Sequence, residues 1–107
     1  MQADKKAILS VLKQKLSKHF ADNLMDVVLF GSQLTNKATP ESDYDILIVL
    51  KHKPDWKIER KISDICYEVD LKYGIITDTH VITEQELGSL RGKQPIFYNA
   101  LNQGYHA

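Results

Sequence analysis

Residues 29–50 read LFGSQLTNKATPESDYDILIVL, and the fold follows from this stretch. Val27, Val28, Leu29 and Phe30 form a short apolar run, consistent with a buried strand. Gly31-Ser32 ends it. Residues 33–42 are polar and hold Pro40, so they include a loop, with room for a short helical turn from Ser32 to Lys37. Asp43-Tyr44-Asp45 then opens a second strand. Tyr44 to Leu50 is rich in apolar and β-branched residues and is apolar on both faces beyond its acidic start, the pattern of a central strand.

Upstream, Ala7, Ile8, Val11, Leu12, Leu16 and Phe20 recur at spacings of three and four. That is an amphipathic helix with Lys5, Lys6, Lys13, Lys15 and Lys18 on its wet side. Downstream, Pro54 opens a second helix near its first turn. Its apolar stripe is Trp56, Ile58, Ile62, Ile65, Cys66, Val69 and Tyr73, and Gly74 is placed to stop it in a left-handed conformation. Ile75 to Thr83 reads as a third strand. Thr83-Glu84-Gln85-Glu86 matches a capping box, so a short helix runs on to about Leu90. Pro95 begins a last helix that turns Ile96, Phe97, Ala100 and Leu101 inward and ends at Gly104. The expected fold class is α/β (α+β): a small mixed sheet covered by helices, in a single domain spanning residues 1–107.

Composition narrows the function. The chain has 107 residues, 43% hydrophobic and 26% charged, which suits one soluble domain. Lys plus Arg and Asp plus Glu number 14 each, so no long-range field for nucleic acid is implied and any anion site must be local. The one cysteine, Cys66, falls on a helix face and reads as a buried thiol. No apolar run approaches the roughly 20 residues that span a bilayer. A signal-peptide pattern is also lacking, and the expected location is cytoplasmic.

The chemistry concentrates at Gly31-Ser32 and Asp43-x-Asp45. Gly31 lets the backbone turn sharply and lets a phosphate approach without a Cβ in the way. Ser32 offers a hydroxyl and an N–H where a helix dipole would favour an anion. Side chains alternate along a strand, so Asp43 and Asp45 project from the same face. Two close carboxylates repel unless a cation joins them, and Mg²⁺ takes oxygen ligands while keeping waters and phosphates in its shell. A phosphate cradle beside a paired-carboxylate cation site is the minimum for group transfer from a triphosphate. Each piece alone is weak; the ordered whole is specific.

LFGS, the ten-residue gap and DYDILIVL resemble the signature of the DNA polymerase β-like nucleotidyltransferase superfamily, and more narrowly its minimal nucleotidyltransferase (MNT) type. YEVDLKYGIITDTHVIT and QPIFYNALNQGY resemble the later parts of short members. The resemblance implies that Gly31 and Ser32 hold the triphosphate and that Asp43 and Asp45 bind two Mg²⁺ ions. It also implies a third acidic residue on the next strand. Asp78 is the candidate, because period two places Ile76, Asp78, His80 and Ile82 on one face. Asp70 competes but falls in a helical pattern beside Lys72 and reads as surface. His80 reads as structural with a smaller prospect of contacting substrate, and Lys51, His52 and Lys53 as a solvated turn with a smaller prospect of binding phosphate. Gln33 and Asn36 depart from the Arg and Gly usual after the Gly-Ser pair, which weakens the case for triphosphate affinity.

The implied reaction is transfer of a nucleoside monophosphate, AMP from ATP by family habit, to an acceptor hydroxyl, with pyrophosphate released. The implied partner is a helical HEPN-type protein in a toxin–antitoxin pair, and a homo-oligomer stays open. The rival reading is a non-catalytic module of the same fold that acts by contact alone.

Overall fold

A computed structural model describes residues 4–34, 43–89 and 93–107, without the side chains of Ser32 and Leu34. The order is α1 (Lys5–Phe20), β1 (Leu24–Phe30), a 3-10 turn (Gly31–Leu34), β2 (Tyr44–Leu50), α2 (Trp56–Tyr73), β3 (Thr77–Thr83), α3 (Glu84–Leu87), α4 (Pro95–Gln103) and β4 (Tyr105–His106). The strands form one mixed sheet in the order β3-β2-β1-β4. β1 pairs antiparallel with both β2 and β4, whereas β2 and β3 are parallel. The parallel pair needs a crossover, and α2 supplies it.

Strand alternation sorts the core into two layers. Val27, Leu29, Ile46, Ile48 and Leu50 face α1 and α2, meeting Ile8, Leu9, Leu12, Leu16, Ile62, Ile65, Cys66 and Val69. Val28, Leu47, Val49 and Ile82 face α4 through Phe97 and Ala100. β2 is therefore buried on both faces, as its apolar sequence requires. Among the described residues no helix is long and apolar enough to cross a membrane.

The helices begin and end where local chemistry satisfies their free backbone groups. Asp4 and Asp55 cap α1 and α2 by accepting from Lys6 N and Ile58 N. Gly74 closes α2 at φ 65°. Thr83 and Glu86 form the expected reciprocal capping box.

Several expectations are corrected. β1 begins at Leu24, because Asp26 and Leu24 still find partners on β2 across a register shift. Trp56 is 69% exposed and packs in neither core cluster; it is the first residue of α2. Ile96 is also exposed, leaving Phe97 and Ala100 as the buried residues of α4. Leu9, outside the expected stripe of α1, is fully buried between the sheet and α2. α3 ends at Leu87; Leu90 and Asn36 lie outside the described residues. The strand β4 carried no periodic signal: only two residues pair, held by the Ala107 N–H donating to the Val27 carbonyl at 2.8 Å.

Candidate active site

The site lies where β1 ends and β2 and β3 begin, on the sheet face that α4 only partly covers. Asp45 is the second residue of β2. Its neighbour on β1 is Phe30, and its neighbour on β3 is Asp78. Parallel pairing in this register places both carboxylates on the same rung and face, and His80 follows two residues on. Ligand atoms of Asp45, Asp78 and His80 all lie within 4.8 Å of one another. His80 Nε2 stands 3.6 Å from Asp78 Oδ2. The imidazole is also held by Phe30, whose ring centroid is 5.8 Å away.

Gly31 seals one side of this cluster. Its φ is +78°, and a Cβ there would stand 2.2 Å from Asp45 Oδ2. The 3-10 turn therefore lies directly against the Asp45 carboxylate, so an anion held by the turn would sit beside any cation held by Asp45. Ser32 occupies the second position of that turn.

The electrostatics favour a cation. Burial pushes the Asp45 carboxyl above its ordinary range, and the charges of Asp78 and Asp43 push the same way against His80. A divalent ion would relieve that repulsion, and the carboxylate oxygens suit Mg²⁺ while the imidazole widens the choice to softer metals. Asp43, expected as one of the metal pair, is exposed at the mouth of β2 and is not one of the converging group. Its charge nevertheless reaches both Asp45 and Asp70.

Two contributors escaped the sequence reading. Lys5, assigned to a solvated face, donates from Nζ to the Gln33 carbonyl at 2.8 Å and brings a positive charge to the turn. Asp70, assigned to the surface, is partly buried and accepts from Thr77 through both oxygens. Neither contact has a periodic signal, because each joins segments through a side chain. Lys51, His52 and Lys53 follow the far end of β2. Five residues of strand lie between Asp45 and Lys51, a span of about 20 Å, so they do not line the turn.

A mixed sheet that sets a glycine turn against strand carboxylates is an arrangement suited to holding a triphosphate beside a cation. Comparison with known proteins agrees: the chain belongs to the nucleotidyltransferase family, whose profile, described as the nucleotidyltransferase domain, matches residues 7–99. It is accordingly an enzyme that transfers a nucleotidyl group from a nucleoside triphosphate and releases pyrophosphate. Two similar proteins come from Methanocaldococcus jannaschii, and both are named putative protein adenylyltransferase. The first is 33% identical over 100 residues, covering 92% of this chain and 67% of the relative. The second is 31% identical over 101 residues, covering 94% of each. Among solved structures, the toxin–antitoxin MntA–HpeT, in a variant with two Asp-to-Glu changes, matches with a TM-score of 0.53 at 16% identity, covering 88% of this chain and 68% of that one. The fold is that of the polymerase β-like nucleotidyltransferases.

Proposed function

We propose that the chain is a single minimal transferase domain that moves AMP from ATP to a hydroxyl of a partner protein, in a divalent-metal site built from Asp43, Asp45 and Asp78. The observation that carries this reading is the convergence of Asp45, Asp78 and His80 beside the Gly31 turn. The names of the archaeal relatives favour AMP as the transferred group and a protein as acceptor. The toxin–antitoxin neighbour favours a partner chain, which we take to be a helical HEPN-type protein in the cytoplasm.

In this reading Gly31 and Ser32 hold the β- and γ-phosphates through the turn. Asp45 and Asp78 would hold one cation, and Asp43 would contribute to a second at the open mouth of β2. A bound pair of Mg²⁺ ions would neutralise triphosphate charge and lower the pKa of the attacking hydroxyl. In this proposal Asp78, the more exposed of the two carboxylates, takes the proton of that hydroxyl as it attacks the α-phosphorus and pyrophosphate leaves. His80 orients the Asp78 carboxylate.

A non-catalytic module is the second reading. Gln33 is buried, so it does not offer the phosphates what an exposed Arg would. Lys5 answers this in part, because its ammonium reaches the same turn. The test is label transfer from α-labelled ATP to the HEPN-type partner with Mg²⁺ present. Asp78→Asn should cut transfer by about two to four orders of magnitude, the range for losing a general base. MgATP binding should stay within a few-fold. No transfer by the unmutated protein, with a thermal shift by MgATP still present, would establish the binding module instead.

A further inference from the structure

Asp70 touches none of the reacting groups, yet the segment that joins α2 to β3 converges on it. Its carbonyl accepts from Gly74 N and from Ile75 N, the latter at 3.1 Å. Its Oδ1 accepts from Thr77 N at 3.1 Å, and its Oδ2 accepts from the Thr77 hydroxyl at 3.3 Å. Thr77 is the first residue of β3 and directly precedes Asp78.

The geometry explains why the clamp falls there. Tyr44 N donates to the Ile76 carbonyl at 2.8 Å, which turns the polar backbone groups of residues 76 and 78 toward β2. The N–H of Thr77 therefore faces away from the sheet, and without Asp70 it would have no strand partner. Tyr44 pairs with Thr77 in the ladder, and Asp45 with Asp78. A carboxylate that holds Thr77 from the helix side therefore sets the depth at which β3 enters the ladder, one residue before the Asp45–Asp78 rung.

We propose that Asp70 is a positioning residue for nucleotidyl transfer: by clamping Thr77 it fixes Asp78 against Asp45 at metal-binding distance. This rests on the proposed site. Burial raises the Asp70 carboxyl and the charge of Asp43 adds to that, while the two Thr77 bonds oppose them. Burying a carboxylate carries a cost, and hydrogen bonds such as those from Thr77 offset it.

The test measures Mn²⁺ binding to the full chain by calorimetry at low temperature, with folding checked by circular dichroism. Asp70→Ala should weaken Mn²⁺ by about tenfold, the low end for losing a residue that orients a ligand, and Asp70→Asn should recover to within about threefold by keeping an oxygen for Thr77 N–H. Thr77→Val removes only the hydroxyl bond and should give an intermediate loss. A residue with a merely structural role would lower the melting temperature and leave the Mn²⁺ affinity of the folded protein unchanged. Parental Mn²⁺ affinity in folded Asp70→Ala, with binding lost in Asp78→Asn, overturns the proposal. Should Asp70→Ala fail to fold, parental affinity in Thr77→Val overturns it. Parental affinity in both Asp45→Asn and Asp78→Asn overturns the site reading itself, and this inference with it.

Discussion

Gly31 rests against the Asp45 carboxylate so closely that a Cβ at residue 31 would stand 2.2 Å from Oδ2 and 3.1 Å from Cγ. The contact joins the turn proposed to hold phosphate to the strand proposed to hold the cation, and only glycine permits it. Gly31→Ala adds the cost of φ +78° to a clash that Asp45 can relieve only by leaving its rung with Asp78. We expect a loss of about 1–3 kcal/mol in stability, the usual cost of such backbone strain. Metal-dependent ATP binding should fall below detection. Denaturant melts and calorimetry measure the two effects, and normal MgATP binding by Gly31→Ala would show that the turn and carboxylate are not coupled.

Asp45 is held above its ordinary pKa by burial and by the Asp78 charge, so the metal-free protein carries a repulsion at the site. Removing one charge should therefore stabilise the apo form. Asp45→Asn should melt at the parental temperature or above it in chelator, and should lose the upward shift that Mg²⁺ gives the parent. Thermal melts with and without Mg²⁺ settle this; an equal Mg²⁺ shift in both proteins would remove Asp45 from the metal site.

Lys5 places its ammonium 2.8 Å from the Gln33 carbonyl, behind the turn proposed to hold phosphate. Lys5→Met keeps most of the aliphatic stem and removes the charge. ATP should bind several-fold more weakly while AMP is little affected, because only the triphosphate extends to the turn. The difference should shrink as salt rises, since solvent-accessible charges are screened over about 8 Å at physiological ionic strength. Equal losses for ATP and AMP would show that Lys5 merely supports the backbone.

His106 links β4 to its surroundings with both ring nitrogens. Nδ1 lies 2.5 Å from Asp26 Oδ2, and Nε2 lies 3.0 Å from the Leu101 carbonyl. Both partners are acceptors, so both bonds form only with the imidazolium. The bond to Asp26 raises the His106 pKa above 6.5, with burial opposing it. A raised folded pKa means that the stabilisation is fully present below 6.5 and is lost as pH rises through the folded value. His106→Asn should thus destabilise more at pH 6 than at pH 9. The difference should be under about 1 kcal/mol, because solvent reaches the pair and screens it. Urea melts at the two pH values give the comparison, and equal losses at both would rule out the charged clasp.

The local elements were legible in the chain because their signals are local. The stripe Ile62, Ile65, Cys66 and Val69 is buried on α2, Gly74 closes that helix left-handed, and the Thr83–Glu86 capping box forms. Tyr44 to Leu50 is a two-face-buried strand, as its unbroken apolar run requires. Cys66 is buried as read, and burial raises its thiol to about 11, which leaves it unreactive. Trp56 misled because a helical stripe records spacing along the helix and not whether another element packs against its first residue.

By itself, then, the sequence determined the order of the four helices and of the first three strands, the Gly-Ser turn before an acidic strand, and the same-face spacing of Asp78 with His80, but not β4. Tertiary structure alone decided which carboxylates meet. Periodicity states which face a side chain takes along its own strand, but the partner strand and its register depend on long-range packing. A parallel crossover through α2 put Asp78 on the rung of Asp45, and left Asp43 at the mouth of β2 outside the converging group. The same crossover brought Asp70 to Thr77, while packing of α1 brought Lys5 to Gln33. These contacts join residues that are distant in the chain or carried on different elements. Only when α1, α2 and α4 bury the two faces of the sheet is the geometry fixed that joins them.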